Sequence, residues 1–139
     1  MKNLECSSKG DKRFSAFYAK VSVFGKVDSI ENHYQNCKRK VINGCVYKCK
    51  KGERVDFMVL ANKKLDVKYL TPYYKLLWCK YLDENPDLVK YAEGFNKFSD
   101  MFRGRSINCQ ADVIRDYVLY GREYVLNEGK EFIEILKSK

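Results

Sequence analysis

From Arg13 through Phe17 and Tyr18 to Phe24 the chain is aromatic and partly alternating, which predicts a strand, and Gly25-Lys26 supplies a turn. After it the period changes. Ile30, Tyr34, Cys37 and Val41 recur at helical spacing, so a helix is predicted from about Ser29 to Lys40, with Ser29 as its cap and the acidic Glu31 in its first turn. Asn43-Gly44 ends that helix or opens a hairpin. Between Gly44 and Leu60 two short strands are expected around a Lys-Gly turn. Thr71-Pro72 has the form of a cap followed by proline, opening a helix to about Leu82 with Tyr74, Leu77, Trp78 and Tyr81 at core spacing. Asn85-Pro86 repeats the signal for a short helix to about Glu93, with Leu88, Ala92 and Phe95 inward. Gly94 to Arg105 reads as loop or short strand. Asn108 is placed to cap a helix that turns Ala111, Ile114 and Tyr117 or Val118 inward; Gly121 interrupts it, and a last amphipathic helix runs from Glu123 to Lys137.

These elements make a mostly helical α+β chain with a few short strands. Its 139 residues suffice for one domain, with 45% apolar residues, eleven Tyr and eight Phe to fill the core. The opening Met1-Lys2-Asn3-Leu4-Glu5-Cys6 lacks the apolar run of a secretion signal, and no stretch is long and apolar enough to span a membrane. A cytoplasmic protein is therefore expected, with its six cysteines reduced.

The net charge of +9 changes the picture more. It attracts polyanions, whether nucleic acid, a nucleotide diphosphate or an acidic protein, without choosing among them. The densest basic groups are Lys9 to Arg13, Lys38 to Lys40 and Lys48 to Arg54. Ser7-Ser8-Lys9-Gly10-Asp11-Lys12 offers hydroxyls, backbone N–H groups and cations close together, as a phosphate cradle would, but has no P-loop spacing. His33, Cys37, Cys45 and Cys49 have zinc-ligand residue types without the tight C-x2-C knuckle, and the expectation is no metal and no cofactor. His33, the only histidine, is expected to be a satisfied structural group.

Glu31, Gln35 and Lys38 share one helix face, which is either the rim of a polar pocket or a solvated surface ladder. Neighbouring phrases bear on that choice. Phe14-Ser15-Ala16-Phe17-Tyr18, then Gly25, then Ser29-Ile30-Glu31-Asn32-His33-Tyr34-Gln35 with Lys38 resembles the N-terminal signature of the NADAR superfamily, proteins associated with NAD and ADP-ribose. Asp100-Met101-Phe102-Arg103-Gly104 and Asn108 resemble later phrases of that family, and Asn85-Pro86-Asp87-Leu88 sits where it commonly starts a helix. The chain also resembles small phage-encoded proteins with its phrases from Lys9 to Tyr18 and from Asn108 to Asp112. It departs from the family in the middle, where a cysteine hairpin and Leu70-Thr71-Pro72-Tyr73-Tyr74 replace a basic, glycine-containing segment and a D-W-x-x-x-R helix start.

The resemblance implies a single NADAR-like domain over residues 1–139 that binds ADP-ribose-like or NAD-derived nucleotides. In characterised branches such domains hydrolyse an N-glycosidic bond at the ribose C1, chemistry that places a carboxylate beside an oxocarbenium-like carbon and a positioned water. It implies Glu31 and Asp100 as catalytic carboxyls. Gln35 and Asn108 are then candidates for ribose hydroxyls or water, Lys12, Arg13, Lys38 and Arg103 for the diphosphate, and Phe17, Tyr18, Trp78 or Phe102 for stacking on a base. A nucleic acid carrying a modified base is a further partner it implies. Two alternatives stand beside hydrolysis: a phage protein that binds and sequesters a nucleotide-derived host signal, and a basic inhibitor that binds nucleic acid or protein.

Overall fold

The computed structural model describes residues 3–7, 9–99 and 110–137. The chain folds as mixed α+β around one helix. That helix, α2 (Leu70–Asp83), buries Tyr73, Tyr74, Leu77, Trp78, Cys79, Tyr81 and Leu82, so it is apolar around most of its circumference, as a helix surrounded by other elements must be. Against it pack α1 (Ile30–Asn36), α3 (Pro86–Ala92), α4 (Gln110–Tyr120) and α5 (Arg122–Leu126). A final helix, α6 (Lys130–Lys137), adds Phe132, whose ring meets Tyr69 and Tyr73 at 5.6 and 6.1 Å between centroids.

Among the described residues three small sheets flank the helices. β1 (Asn3–Glu5) runs parallel to β8 (Lys97–Ser99), with Leu4 opposite Phe98. β2 (Lys20–Val23) and β3 (Lys26–Ser29) form a hairpin. β4 (Lys38–Ile42), β5 (Cys45–Lys48), β6 (Phe57–Leu60) and β7 (Lys63–Leu65) form an antiparallel sheet in the order β5-β4-β6-β7. Three of the hairpin turns have two central residues, and both residues have positive φ: Phe24-Gly25, Asn43-Gly44 and Ala61-Asn62. This is the type I′ geometry, whose twist suits the flanking strands.

Several sequence expectations need correction. The first helix stops at Asn36, and Lys38–Ile42 is strand β4, so Val41 belongs to no helical stripe and is exposed. The reason is tertiary: Lys38 and Arg39 pair with Met58 and Phe57, and Asn43-Gly44 makes the hairpin with β5. Residues 13–18 are not strand. Lys12–Phe14 is a single 3-10 turn, and Ser15 C=O then accepts from both Tyr18 N–H (3.0 Å) and Ala19 N–H (2.8 Å), which coils the backbone. Thr71 does not cap α2; the helix begins at Leu70 after a 3-10 turn capped by Asp66. The last predicted helix is broken at Asn127–Gly129 into α5 and α6, yet Val125 and Phe132 still face the core.

Among the described residues of the lead-in, Ser7 and 9–12, the groups that would cradle a phosphate are turned to the protein's own bonds. Ser7 is buried with its Oγ accepting from Lys9 N–H and Gly10 N–H, and Asp11 N–H is spent on Glu5 C=O at 2.9 Å. Gly10 is required by contact: a Cβ there would lie 2.4 Å from Glu5 O. Among the described residues no helix is long and apolar enough to cross a membrane.

Candidate functional site

The site is built on the junction between the 15–19 loop and the start of α1. Ile30 N–H donates to Ala19 C=O and Glu31 N–H to Ala16 C=O, each at 2.9 Å, while Asn32 N–H donates to the Ser29 cap at 3.1 Å. The first N–H groups of α1 are thus satisfied by the protein itself, and the helix start holds the loop rather than an anion. Ala16 is also held from the other side, its N–H donating to Gln110 Oε1 at 2.7 Å, and Gln110 Nε2 donates in turn to Cys6 C=O at 2.6 Å. Tyr81 Oη donates to Arg13 C=O at 2.7 Å.

With its backbone fixed at these points, the loop turns Phe17 and Tyr18 outward, 41% and 50% exposed. Lys51 Nζ lies 4.6 Å from the Phe17 ring centre and 3.8 Å from Glu31 Oε1. One helical turn beyond Glu31, Gln35 Nε2 donates to Cys49 C=O at 3.1 Å, binding α1 to the end of the β4–β5 hairpin, and Gln35 Oε1 accepts from Lys38 Nζ at 3.3 Å. Lys38 Nζ also sits 4.2 Å over the Tyr34 ring. Burial holds the Lys38 ammonium below the usual lysine range; Glu31 opposes that shift and Lys51 adds to it. Glu31 is thus flanked by the Lys51 and Lys38 ammonium groups, which lie over the Phe17 and Tyr34 rings respectively.

Phe17, Glu31, Gln35 and Lys38 of the predicted set come together here. Tyr18, Lys12 and Arg13 do not join them directly. Lys12 Nζ rests 5.0 Å from the Tyr18 ring centre, and Arg13 is committed to Asp11 through Nε–Oδ1 (3.0 Å) and Nη2–Oδ2 (2.7 Å), with its guanidinium 4.5 Å from the Tyr91 ring centre. Asp100, Phe102, Arg103 and Asn108 lie outside the described residues. Trp78 is fully buried and belongs to the core, not to a stacking platform.

His33 is the satisfied group expected of it. Its Nε2 lies 2.8 Å from Val21 C=O, and since a carbonyl only accepts, that nitrogen carries the proton. Cys37 Sγ donates to Tyr34 C=O and Cys49 Sγ to Arg54 C=O, while Cys45 is exposed on the hairpin. Burial pushes the Cys37 thiol up to about 12, which leaves it protonated and a poor ligand. Among the described residues no group of three or more His, Cys, Asp or Glu side chains is placed to hold a metal ion.

Sequence reasoning missed two parts of the site. Gln110 was visible only as one letter of a phrase, and its bonds span 94 and 104 residues, beyond any local pattern. Lys51 was seen as part of a basic run, but its approach to Glu31 depends on the hairpin folding back over α1. Elsewhere a cleft of about 320 Å³ opens between α2 and the last helices, lined by Thr71, Lys75, Leu126 and Glu128, and a hollow of about 210 Å³ by Val23, His33, Cys37 and Tyr73. Among the described residues, neither is lined by a predicted site residue.

The fold and this patch define a small α+β protein with a carboxylate, an amide and two ammonium groups gathered beside exposed aromatic rings. No protein-family model and no curated protein sequence matches the chain.

Proposed function

We propose that this protein binds an ADP-ribose-like or NAD-derived nucleotide at the Phe17, Glu31, Gln35, Lys38 and Lys51 patch, as a NADAR-like domain, and hydrolyses an N-glycosidic bond at the ribose C1. The observation that carries the reading is the convergence of Phe17, Glu31, Gln35 and Lys38 through the Ala16 junction, because the resemblance to the family rests on the same residues. Each group has a chemical task. Phe17 offers a face for a base, Lys38 and Lys51 neutralise a diphosphate, and Gln35 donates or accepts at a ribose hydroxyl.

Glu31 supplies the chemistry. As the C1–N bond breaks, the electron pair leaves with the base nitrogen, and a carboxylate near C1 stabilises the positive charge left on the sugar. Water attacks C1 and gives a proton to Glu31, which passes it to the leaving nitrogen, so that OH is added to C1, H to the base, and the carboxylate is restored.

Binding without turnover is the second reading, and the cation balance favours it. Glu31 Oε1 lies 3.8 Å from Lys51 Nζ and so already faces a cation, while the Lys51 and Lys38 ammonium groups suit a phosphate ligand. Incubation with a panel of NAD-derived and ADP-ribosylated compounds, followed by mass spectrometry of bound and released species, decides between them. Released base with the native chain and none with Glu31→Gln supports hydrolysis. Ligand retained intact by both proteins establishes sequestration, and retention of none of the compounds removes the pocket reading.

A further inference from the structure

The hairpin of β4 and β5 carries features that the nucleotide patch does not use. Residues 38–54 contain seven cations; Lys38 and Lys51 belong to the nucleotide patch, Lys40 pairs with Glu53 and Arg54 with Asp56, and Arg39, Lys48 and Lys50 have neither role. In the ladder Arg39 stands directly opposite Lys48 and Lys40 opposite Tyr47, with Val41 opposite Val46. Like charges placed opposite each other weaken a ladder, and Val41, Val46 and Tyr47 are 39%, 57% and 50% exposed although they are β-formers suited to a covered face. Every residue of β5 is exposed, and β5 is the edge of its sheet. The ribbon thus has a basic stem and an apolar shoulder behind an Asn43-Gly44 apex, and its own stability explains neither.

We propose that this ribbon is a nucleic-acid-binding arm that lies in a groove of a double helix. The shape suits the partner, since a two-stranded ribbon fits a major groove about 12 Å wide. Cations on one face of a strand recur at about 6.6 Å, close to two axial steps of about 3.4 Å along one nucleic-acid strand. Exposed β-branched residues near the tip match the apolar contacts that groove-binding proteins make with bases. A bilayer is the poorer partner: insertion would bury the polar Asn43 side chain and the turn's backbone in lipid, and the tip has no Trp or Phe to anchor it. The inference is independent of the nucleotide patch.

Fluorescence anisotropy of the full chain with a labelled duplex of about 20 base pairs tests it, with phosphatidylserine vesicles and polyglutamate in parallel. Duplex binding is expected, its log affinity falling linearly with log salt. Lys48→Glu with Lys50→Glu should weaken it at least about ten-fold and flatten the salt slope by about two, one for each lost phosphate contact. Val41→Ser with Val46→Ser should weaken it by about three- to ten-fold and leave the slope unchanged. Lys48→Gln with Lys50→Gln repeats the charge test without reversal, and circular dichroism checks that each variant is folded. The proposal is overturned by absence of duplex binding at about 50 mM salt, by equal affinity of the lysine variants, or by vesicles or polyglutamate binding as tightly with the same dependence on Lys48 and Lys50.

Discussion

The N–H of Ala16 donates to the side-chain oxygen of Gln110 across 94 residues of chain, at 2.7 Å and out of contact with water. Ala16 C=O accepts from Glu31 N–H, so one peptide unit joins α4, the aromatic loop and the candidate carboxylate. Gln110→Ala would leave Ala16 N–H buried without its acceptor and would remove the bond from Gln110 Nε2 to Cys6 C=O. The expected loss is about 2 kcal/mol, within the range of about 1–3 kcal/mol for one unsatisfied buried group, read from the shift in urea midpoint. The same variant should lower nucleotide affinity, although Gln110 itself lies behind the loop and contributes through Phe17 and Glu31.

The contrast between Gln110 and Trp78 shows what the chain discloses in one dimension. Tyr74, Leu77, Trp78 and Tyr81 were legible because burial imposes a helical period, and all four are buried on α2. The Ser29 cap was legible, and Asn43-Gly44 as a helix end or a hairpin turn, because each uses a local backbone geometry that few residues satisfy; the structure has the hairpin. The end of α1 was not. Cys37 to Val41 continues an acceptable helical pattern, and only pairing with Phe57 and Met58 on one side and with β5 on the other turns residues 38–42 into a strand. The candidate site lies between these cases: Glu31 and Gln35 follow from local spacing, whereas Lys51 and Gln110 arrive through long-range contacts.

Lys38 gives the patch a measurable electrostatic signature. Its ammonium is held below the usual lysine range mainly by burial, with Glu31 raising its pKa and Lys51 lowering it. Glu31→Gln should therefore move the Lys38 titration to lower pH, and Lys51→Gln should move it to higher pH. Lysine-selective NMR titration reads these shifts directly. Phosphate-ligand binding that uses the charged form should lose affinity on the alkaline side at a correspondingly lower pH in Glu31→Gln and a higher pH in Lys51→Gln. Shifts of the same sign in both variants would contradict the arrangement of one carboxylate and two ammonium groups.

Asp11 governs part of the acid limb of stability. The Arg13 side chain, through two hydrogen bonds, holds the Asp11 carboxyl below the usual carboxylate range, and the Arg13 N–H adds to the effect. A carboxyl with a depressed folded pKa stabilises the protein above its unfolded pKa of about 4, and that contribution is lost as pH falls through the folded value. Asp11→Asn keeps an acceptor for Arg13 N–H and removes the titration. Its stability, followed by urea unfolding from neutral pH down to about pH 2, should fall less steeply below about pH 4 than that of the native chain. An unchanged acid limb would assign that loss to Asp28 and other carboxyls.

The Ala61-Asn62 turn between β6 and β7 is the least suited of the two-residue hairpin connections. Ala61 and Asn62 have φ of +50° and +65°, and both are exposed. Asparagine tolerates this left-handed region by local hydrogen bonding, but alanine pays about 1–2 kcal/mol for it, since its Cβ crowds the following carbonyl. Ala61→Gly removes the crowding but adds freedom to the unfolded chain, an opposing effect of about 0.4–1 kcal/mol, so its net gain should be small. Ala61→Asn with Asn62→Gly recreates the sequence that already turns β4 into β5 and should raise stability by about 1 kcal/mol, with no side-chain packing lost. Asn62→Pro demands a φ near −65° where the chain has +65°, and it should destabilise strongly. The order expected in urea unfolding is the asparagine-glycine pair, then Ala61→Gly, then the native chain, with the proline variant far below; a proline variant as stable as the native chain would show that this turn does not hold its type I′ geometry.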